Sequence, residues 1–369
     1  IKANLDNEIA SQFKAMVSGI AYRSIRSMLA SRRRSDAEIL GLIDKVEDTI
    51  TNLCLGDYQG IIWSCGPGPE DHMVAYRMLT RMRKSTNYPV SVGVCNHAMN
   101  ILGKARKWEA SLEIFERMLA DGPVPDKDSY IIVRSQFHSL LSSSREVRNS
   151  HWSVEILERM ESNGITPDQY AWDTALITCA KRADLHGALL VFERMVEKGQ
   201  IPSLISYGAL LTSLEKCDFL DKAEQVWQHM KKLGIKPNIE AYTIMISVYS
   251  KSSSREKLSL LIDEMYAGKA EFTLITYNAL ITSCAKVGDG KGALKWMEKL
   301  VEDGFSPNTI SYDQLVKALS LGGEAELARD MYFEASRMNF NLSQSACTAL
   351  ASACKMHGIP HDLVTQSIQ

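Results

Sequence analysis

The stretch LITYNALITSCAKVGDGKGALKWMEKLVEDGFSPN, from Leu274 to Asn308, decides the fold. Apolar residues recur at helical spacing in its first half. Gly288 and Gly290 then interrupt the pattern, because glycine disfavours a helix interior by about 1 kcal/mol. A second apolar stripe follows, and Pro307 closes it. The stretch predicts two short helices joined by a turn, a unit too small to bury both of its apolar faces alone.

This unit repeats along the chain with a period of about 35 residues. The interval from Asp126 to Asp168 is 42 residues, and the later intervals are 35 or twice 35. We place the seven extra residues near 142–152, in a polar turn at Ser142–Arg145. Helical hairpins at this period predict an all-α fold, a right-handed α-solenoid. The unit ends that set the period are Pro125-Asp126, Pro167-Asp168, Pro202-Ser203, Pro237-Asn238 and Pro307-Asn308.

The pattern divides the chain into four parts. Residues 1–56 are predicted to be an N-terminal helical cap, because the open apolar face of a repeat array needs a cover. Residues 57–91 form a degenerate repeat, 92–343 form seven repeats, and 344–369 form a partial repeat.

Two stripes of large side chains recur in phase with the repeat. We interpret both as core packing between helices, which is commoner than a ligand site. The aromatic stripe is Trp172, Tyr207, Tyr242, Tyr277 and Tyr312, and the methionine stripe is Met118, Met195, Met230 and Met265.

Composition and charge argue against several classes of function. The net charge is −2, which is not the strongly basic balance of a protein held on nucleic acid by charge alone. No apolar run approaches the roughly 20 residues of a membrane-spanning helix. The cysteines form no Cys-x-x-Cys pair, and the histidines form no group of nucleophile and base. We therefore expect no enzyme activity, metal, cofactor or small-molecule substrate.

The order of residues in 274–308 resembles the pentatricopeptide repeat (PPR) family. The matching features are Tyr-Asn-x-Leu-Ile, then Cys-Ala-Lys, Gly-Ala-Leu, Met-Glu and Gly-x-x-Pro-Asn. Units of 35 residues resemble the P class of PPR proteins. The sequence contains neither a deaminase signature nor a nuclease signature, so we expect no catalytic C-terminal domain. The resemblance implies a chloroplast or mitochondrial protein whose concave face meets single-stranded RNA, one base per unit.

The resemblance also implies three sets of RNA contacts. The residue after the aromatic of each first helix and the residue after the closing proline read the base edge, as Asn96 with Asp126 for uracil and Asn278 with Asn308 for a pyrimidine. Thr243 suggests a purine, although Thr273 is an unusual partner. Four further pairs depart from the family pattern: Ile131 with Asp168, Asp173 with Ser203, Gly208 with Asn238, and Asp313 with Ser343.

The other two sets lie beside these readers. In the family, an aliphatic residue three positions before the base-reading residue of the first helix sandwiches bases. In three units of this chain that position is instead Gly93, Asp128 or Glu240. A lysine late in the first helix meets the RNA phosphate. The sandwiching residues are Ile205, Ile275 and Ile310, and the lysines are Lys104, Lys181, Lys216, Lys251 and Lys286.

Two functions follow from these patterns. The first is binding of organellar RNA with limited sequence specificity, in support of processing, splicing, stability or translation. The second is a scaffold subunit that mainly contacts protein in an organellar ribosome, transcription complex or splicing complex. The lysines and the two good reader pairs favour the first, whereas acidic residues at sandwiching places and the near-neutral charge favour the second.

Overall fold

The computed structural model describes residues 55–65, 71–84, 90–252 and 254–359. These residues form seventeen α-helices and no strand. The predicted all-α fold of helical hairpins is confirmed for this part of the chain. The helices are α1 (Leu55–Ser64), α2 (Asp71–Lys84), α3 (Val92–Lys104), α4 (Trp108–Asp121), α5 (Lys127–Glu146), α6 (Ser150–Ser162), α7 (Gln169–Arg182), α8 (Leu185–Glu197), α9 (Leu204–Lys216), α10 (Leu220–Lys232), α11 (Ile239–Lys251), α12 (Arg255–Ala267), α13 (Leu274–Val287), α14 (Gly290–Glu302), α15 (Thr309–Leu321), α16 (Ala325–Arg337) and α17 (Gln344–His357).

The helices fall into two compact units. The first comprises the described residues up to Val147 together with Glu155–Ala171. The second comprises Arg148–Val154 and the described residues from Trp172 onward. Residues 1–54 of the predicted N-terminal cap and residues 360–369 of the predicted partial repeat lie outside the described residues.

The residue after each closing proline begins a first helix as its N-cap. The Asn308 side chain accepts a hydrogen bond from the backbone N–H of Ser311, and the Ser311 hydroxyl in turn accepts from the Asn308 N–H. Asp126 and Ser203 make the same reciprocal capping box with the serine three residues on. Such caps satisfy N–H groups that have no partner inside the helix. The polar residue that follows proline therefore has a structural task in every unit that carries it.

Between the helices of each hairpin the chain turns sharply. After α13, Gly288 adopts a left-handed conformation with φ of 68°, which glycine enters without steric cost. Asp289 then caps α14 by accepting from the N–H of Gly292 at 2.9 Å. The predicted turn in the deciding stretch is confirmed, although Gly290 is the first helical residue rather than part of the break.

The aromatic and methionine stripes form the core, as predicted. Trp172, Tyr207 and Tyr277 are among the largest fully buried side chains. Three tyrosines of the stripe also bond the second helix of their own hairpin. The Tyr207 hydroxyl lies 3.0 Å from His229 Nδ1, Tyr242 donates to Glu264 at 3.1 Å, and Tyr312 donates to Glu334 at 2.9 Å. Burial favours the neutral phenol and raises the pKa of Tyr242 and of Tyr312 to about 12. The stripe thus joins the two helices of a hairpin through packing and through the tyrosine hydroxyl.

The seven extra residues are helical, so the turn predicted at Ser142–Arg145 is wrong. Helix α5 has 20 residues, against 13 in most other first helices of the array. Seven residues make almost two α-helical turns and advance the helix by about 10 Å. Seven residues fall short of two full turns by only about 20° of rotation about the helix axis, so the extension keeps the same side of the helix facing its neighbours. Insertion of a heptad therefore lengthens α5 without reversing which residues are buried.

The described residues contain neither a candidate membrane-spanning helix nor a candidate metal site. None of their helices is both long and apolar enough to cross a membrane. They also bring together no group of three or more histidine, cysteine, aspartate or glutamate side chains that could hold a metal.

Candidate nucleic-acid interface

The predicted reader pair of Asn96 and Asp126 is in direct contact. Asn96 Nδ2 donates to Asp126 Oδ1 at 3.0 Å. The buried Ser129 hydroxyl donates to Asn96 Oδ1 at 2.6 Å, and the Ser129 N–H donates to Asp126 Oδ1 at 2.8 Å. The helix cap and the reader side chain therefore form one hydrogen-bonded cluster of three residues.

This cluster stabilises the charged form of Asp126. Hydrogen bonds from the Ser129 N–H and from the Asn96 amide lower the pKa of the Asp126 carboxyl. With Oδ1 committed to the cap, the second carboxylate oxygen is the acceptor that remains for a ligand.

The pair of Asn278 and Asn308 repeats this arrangement in the second unit of the fold. Asn278 Nδ2 donates to Asn308 Oδ1 at 3.4 Å, and the Ser311 hydroxyl donates to Asn278 Oδ1 at 2.7 Å. The Ser311 N–H donates to Asn308 Oδ1 at 3.0 Å. Because the cap requires an oxygen there, the amide orientation of Asn308 is set and its Nδ2 is the group left for a ligand.

Two other predicted pairs also meet, with a carboxylate at the reader place. Asp173 accepts from the hydroxyls of Ser203 at 3.1 Å and Ser206 at 2.5 Å. Asp313 accepts from the backbone N–H of Ser343 at 2.6 Å. Each carboxylate therefore uses acceptor capacity on the cap of the following helix.

The remaining two pairs in the second unit of the fold are not joined directly. Thr243 donates to the Ile239 carbonyl at 2.7 Å and lies 3.1 Å from the Thr276 hydroxyl, which in turn contacts Thr273. A Cβ at Gly208 would meet no heavy atom of the described chain within 4 Å.

The pairing of Ile131 with Asp168 is wrong. His138 is the side chain that reaches Asp168, with Nε2 3.1 Å from Oδ1. His138 follows Ile131 by seven residues, so the heptad extension of α5 moves the reader place along the same side of the helix. Asp168 lies 30 residues after His138, the spacing found for Asn96 with Asp126 and for Asn278 with Asn308.

The predicted sandwiching residues are exposed apolar side chains. Ile205, Ile275 and Ile310 are 55%, 72% and 55% exposed, although each lies on a helix that is otherwise well packed. Asp128 and Glu240, at the same place in other units, are exposed as well. The apolar surface beside the readers is therefore interrupted by acidic residues.

The predicted phosphate-binding lysines fall into two groups. Lys104, Lys181 and Lys286 are exposed. Lys216 instead donates to the Ala180 carbonyl at 2.8 Å, and Lys251 donates to the Glu215 carbonyl at 2.7 Å. These carbonyls belong to the last turn of the preceding first helix, where backbone acceptors have no helical partner. Lys216 and Lys251 therefore act as C-terminal caps.

Lys251 and Lys286 also affect each other electrostatically. Lys251 pairs with Asp218 at 2.8 Å and with Glu215 at 3.0 Å. Partial burial, followed by the nearby ammonium of Lys251, lowers the pKa of Lys286. An approaching phosphate would favour the charged form of Lys286.

One member of each cluster escaped the sequence reasoning. In each cluster a serine or threonine hydroxyl lies 33 residues after the predicted base-reading residue and forms a hydrogen bond with an oxygen of that residue's side chain. Its signal was visible as a serine or threonine three residues after the cap, which is the pattern of a capping box. The residues are Ser129, Ser206, Thr276 and Ser311.

Comparison with protein families identifies the repeated unit. The PPR repeat family matches residues 202–251 and 273–320. The pentatricopeptide repeat domain matches 168–217, and the PPR repeat matches 94–123. The chain carries pentatricopeptide repeats.

Two curated proteins are similar to parts of this chain. Protein LOW PHOTOSYNTHETIC EFFICIENCY 1, chloroplastic, of Arabidopsis thaliana is 33% identical over 150 residues, which cover 41% of this chain and 22% of that protein. The mitochondrial 15S rRNA processing factor CCM1 of Debaryomyces hansenii is 26% identical over 109 residues, which cover 29% of this chain and 14% of that protein. The matches thus span less than a quarter of either relative. One of the two is a chloroplast protein and the other is a mitochondrial protein.

A solved structure shares the fold. PPR10 in complex with an 18-nucleotide psaJ RNA element superposes with a TM-score of 0.56 at 17% identity, over 94% of this chain and 50% of the PPR10 chain. The predicted PPR solenoid class is thereby confirmed.

Proposed function

We propose that this PPR chain binds single-stranded RNA through the first helices of its repeats. The observation that carries the proposal is the recurrence, at one place in the repeat, of a polar pair held by a helix cap. An exposed isoleucine lies beside two of these pairs, Ile275 beside Asn278 and Ile310 beside Asp313. A buried serine fixes the inner edge of Asn96 and of Asn278, so their outer edges are set before any ligand arrives. Preorganised polar groups beside apolar surface suit an unpaired base, which offers both an edge and a ring face.

The hydrogen-bonding groups left by the caps suggest the bases. Asn96 with Asp126 presents one N–H and one carboxylate oxygen, which match the O4 acceptor and N3–H donor of uracil. Asn278 with Asn308 presents N–H donors from both residues, which match the N3 and O2 acceptors of cytosine. In this proposal the cap decides which group of the residue after proline is left to contact a base.

We infer a location and a role from the names of the relatives. The chain is proposed to act in a chloroplast or mitochondrion, where binding supports RNA processing, splicing, stability or translation. The names of the relatives support this proposal, since one is chloroplastic and the other is a mitochondrial rRNA processing factor. Sequence specificity is limited, because Gly208 has no side chain to offer a base. Lys216 and Lys251 already bind within the chain, which reduces the number of phosphate contacts and therefore the affinity.

A protein scaffold is the second candidate. The exposed Asp128 and Glu240 favour it, because acidic side chains beside the readers repel an anionic ligand. Glu240 is partly engaged, since it accepts from Asn238 Nδ2 at 2.9 Å.

Binding at two salt concentrations tests the proposal. Affinity for single-stranded RNA should fall as salt rises, with a slope of about −0.7 per phosphate neutralised. Asn278→Ala should weaken binding by about 1–3 kcal/mol, whereas Gln228→Ala, an exposed amide on the second helix α10, should leave it unchanged. Absence of RNA binding, together with recovery of the chain in a stable protein complex, would favour the scaffold.

A further inference from the structure

Trp63 lies in the last turn of helix α1, where the fold leaves its large aromatic side chain on the surface. It is 54% exposed, whereas Trp172 and Trp227 are each 1% exposed and belong to the core. Tryptophan is enriched at binding interfaces, because its ring offers a large and rigid apolar surface. An exposed tryptophan beside the polar pairs is therefore the aromatic side chain to consider as a ligand contact.

The indole of Trp63 is held against the first helix of the next hairpin. Its ring centroid lies 4.5 Å from that of His97 on α3, with the two ring planes 34° apart. The imidazole is itself fixed, since His97 Nε2 donates to the Cys65 carbonyl at 3.3 Å. These contacts orient the indole before a ligand arrives, which lowers the entropic cost of using it in binding.

Gly93 leaves space for the indole on α3. A Cβ built at Gly93 would lie 3.7 Å from Cζ2 and 4.0 Å from Cη2 of Trp63, so the ring is in van der Waals contact with this part of the helix. Gly93 occupies the place in its unit at which Ile275 exposes an apolar side chain beside Asn278. In the unit of α3, the apolar surface at this place therefore comes from the preceding hairpin.

The indole lies on the same side of α3 as the polar pair of Asn96 and Asp126. Gly93, Asn96 and His97 share one face of the helix, because residues three and four apart are neighbours on a helix surface. Trp63 contacts the first and the third of these residues. The hydrogen-bonding edge of Asn96 and an exposed aromatic ring thus border the same part of the surface.

We propose that Trp63 stacks on the base that Asn96 and Asp126 contact. One nucleobase of the single-stranded RNA is then held by a ring face from α1 and by a hydrogen-bonding edge from α3. Stacking on an aromatic side chain accepts every base, so the choice of base stays with Asn96 and Asp126. The inference rests on the proposed function, because the base belongs to the bound strand. Trp63 is in none of the three sets of contacts that the PPR resemblance implies.

Two short single-stranded RNAs test the stacking. Each carries U and C five nucleotides apart, joined by A residues, and the two have opposite strand directions. Trp63→Ala should weaken binding of the tighter RNA about tenfold, as expected for the loss of one stacked base. Trp63→Phe keeps an aromatic ring and should retain most of the affinity. Leu119→Ala removes a 45% exposed side chain from the second helix α4 and should leave the affinity unchanged.

An abasic residue in place of the U separates stacking from an effect on the fold. The abasic RNA has no ring to stack, so Trp63→Ala and the wild-type chain should bind it equally. Asn96→Ala and Trp63→Ala should also be non-additive on the intact RNA, because both remove a contact with one base. Thermal unfolding of each variant shows whether the fold is retained.

Three results would overturn the assignment. If Asn96→Ala weakens binding of the intact RNA and Trp63→Ala does not, the stacking is wrong and RNA binding stands. If Trp63→Ala weakens binding of the intact and the abasic RNA equally, Trp63 acts through the fold and the stacking is again wrong. If the wild-type chain binds neither RNA, the proposed function fails and the stacking fails with it.

Discussion

Exchange of one atom should switch the base read by the unit of α13 and α14. Asn308→Asp keeps the oxygen that accepts from the Ser311 N–H and from Asn278, and it replaces only Nδ2 by a second oxygen. Asparagine and aspartate cap helices about equally well, so the free energy of unfolding should change by less than about 0.5 kcal/mol. The outer edge changes from two donors to one donor and one acceptor, the pattern of Asn96 with Asp126.

The size of the expected change in base preference follows from one hydrogen bond to the base gained and one lost. Discrimination of a base through a well-placed pair is worth about 1–3 kcal/mol, or roughly 5- to 150-fold in relative affinity. Fluorescence anisotropy with RNAs that differ at the single base opposite this unit should show a shift in preference from cytosine to uracil. The reciprocal variant Asp126→Asn should shift its own unit from uracil towards cytosine. Equal weakening of all RNAs by both variants, with no change in preference, would refute the reasoning.

Three further perturbations separate binding from folding. Ile275→Ala removes an exposed side chain and should leave stability within about 0.5 kcal/mol while lowering RNA affinity, whereas Ile281→Ala, which is fully buried, should cost about 2–5 kcal/mol in urea unfolding. Lys104→Ala should reduce the salt slope of RNA binding by about 0.7 with little loss of stability, whereas Lys251→Ala should lower the melting temperature because it removes the cap on Glu215. Folding lowers the pKa of Asp126, so the contribution of its carboxylate to stability is present above the unfolded pKa of about 3.9 and is lost as the pH falls through the folded pKa. Asp126→Asn should therefore flatten that part of a curve of unfolding free energy against pH. An unchanged curve would contradict the role of Asp126 as a charged helix cap.

The sequence predicted the hairpins and their core because both depend on short-range patterns. Tyr277 and Met265 fall on apolar stripes with helical spacing, and Gly288 marks a turn that only a flexible backbone makes cheaply. The helix caps could also be predicted from the sequence, because a polar residue after Pro307 and a serine three residues later are the usual signature of a helix N-terminus.

The length of α5 was harder to predict, although a signal was present. Ser142–Arg145 is polar and serine-rich, which is typical of a loop, yet residues 127–146 contain neither glycine nor proline. A heptad keeps the helical phase, so the apolar pattern fits an extended helix as well as it fits a turn. The contact between His138 and Asp168 decides between them, and only the three-dimensional arrangement shows it.

The fate of the lysines could not be predicted from spacing. Lys104 and Lys251 lie at the same place in their repeats, yet the first is exposed and the second binds a carbonyl of the neighbouring helix. A long flexible side chain can reach either solvent or a helix end, and the choice depends on acceptors such as Asp218 that belong to another hairpin.

Selection from a random pool of single-stranded RNA tests the central claim most directly. The pairs at Asn96, His138, Asp173, Gly208, Thr243 and Asn278 follow one another along the chain, so one base per unit places the base of the last pair five nucleotides from that of the first. We expect the recovered RNAs to be enriched in U and C at that separation. Recovery of RNAs with no base enriched at fixed spacing, or of no RNA at all, would contradict base reading by these pairs.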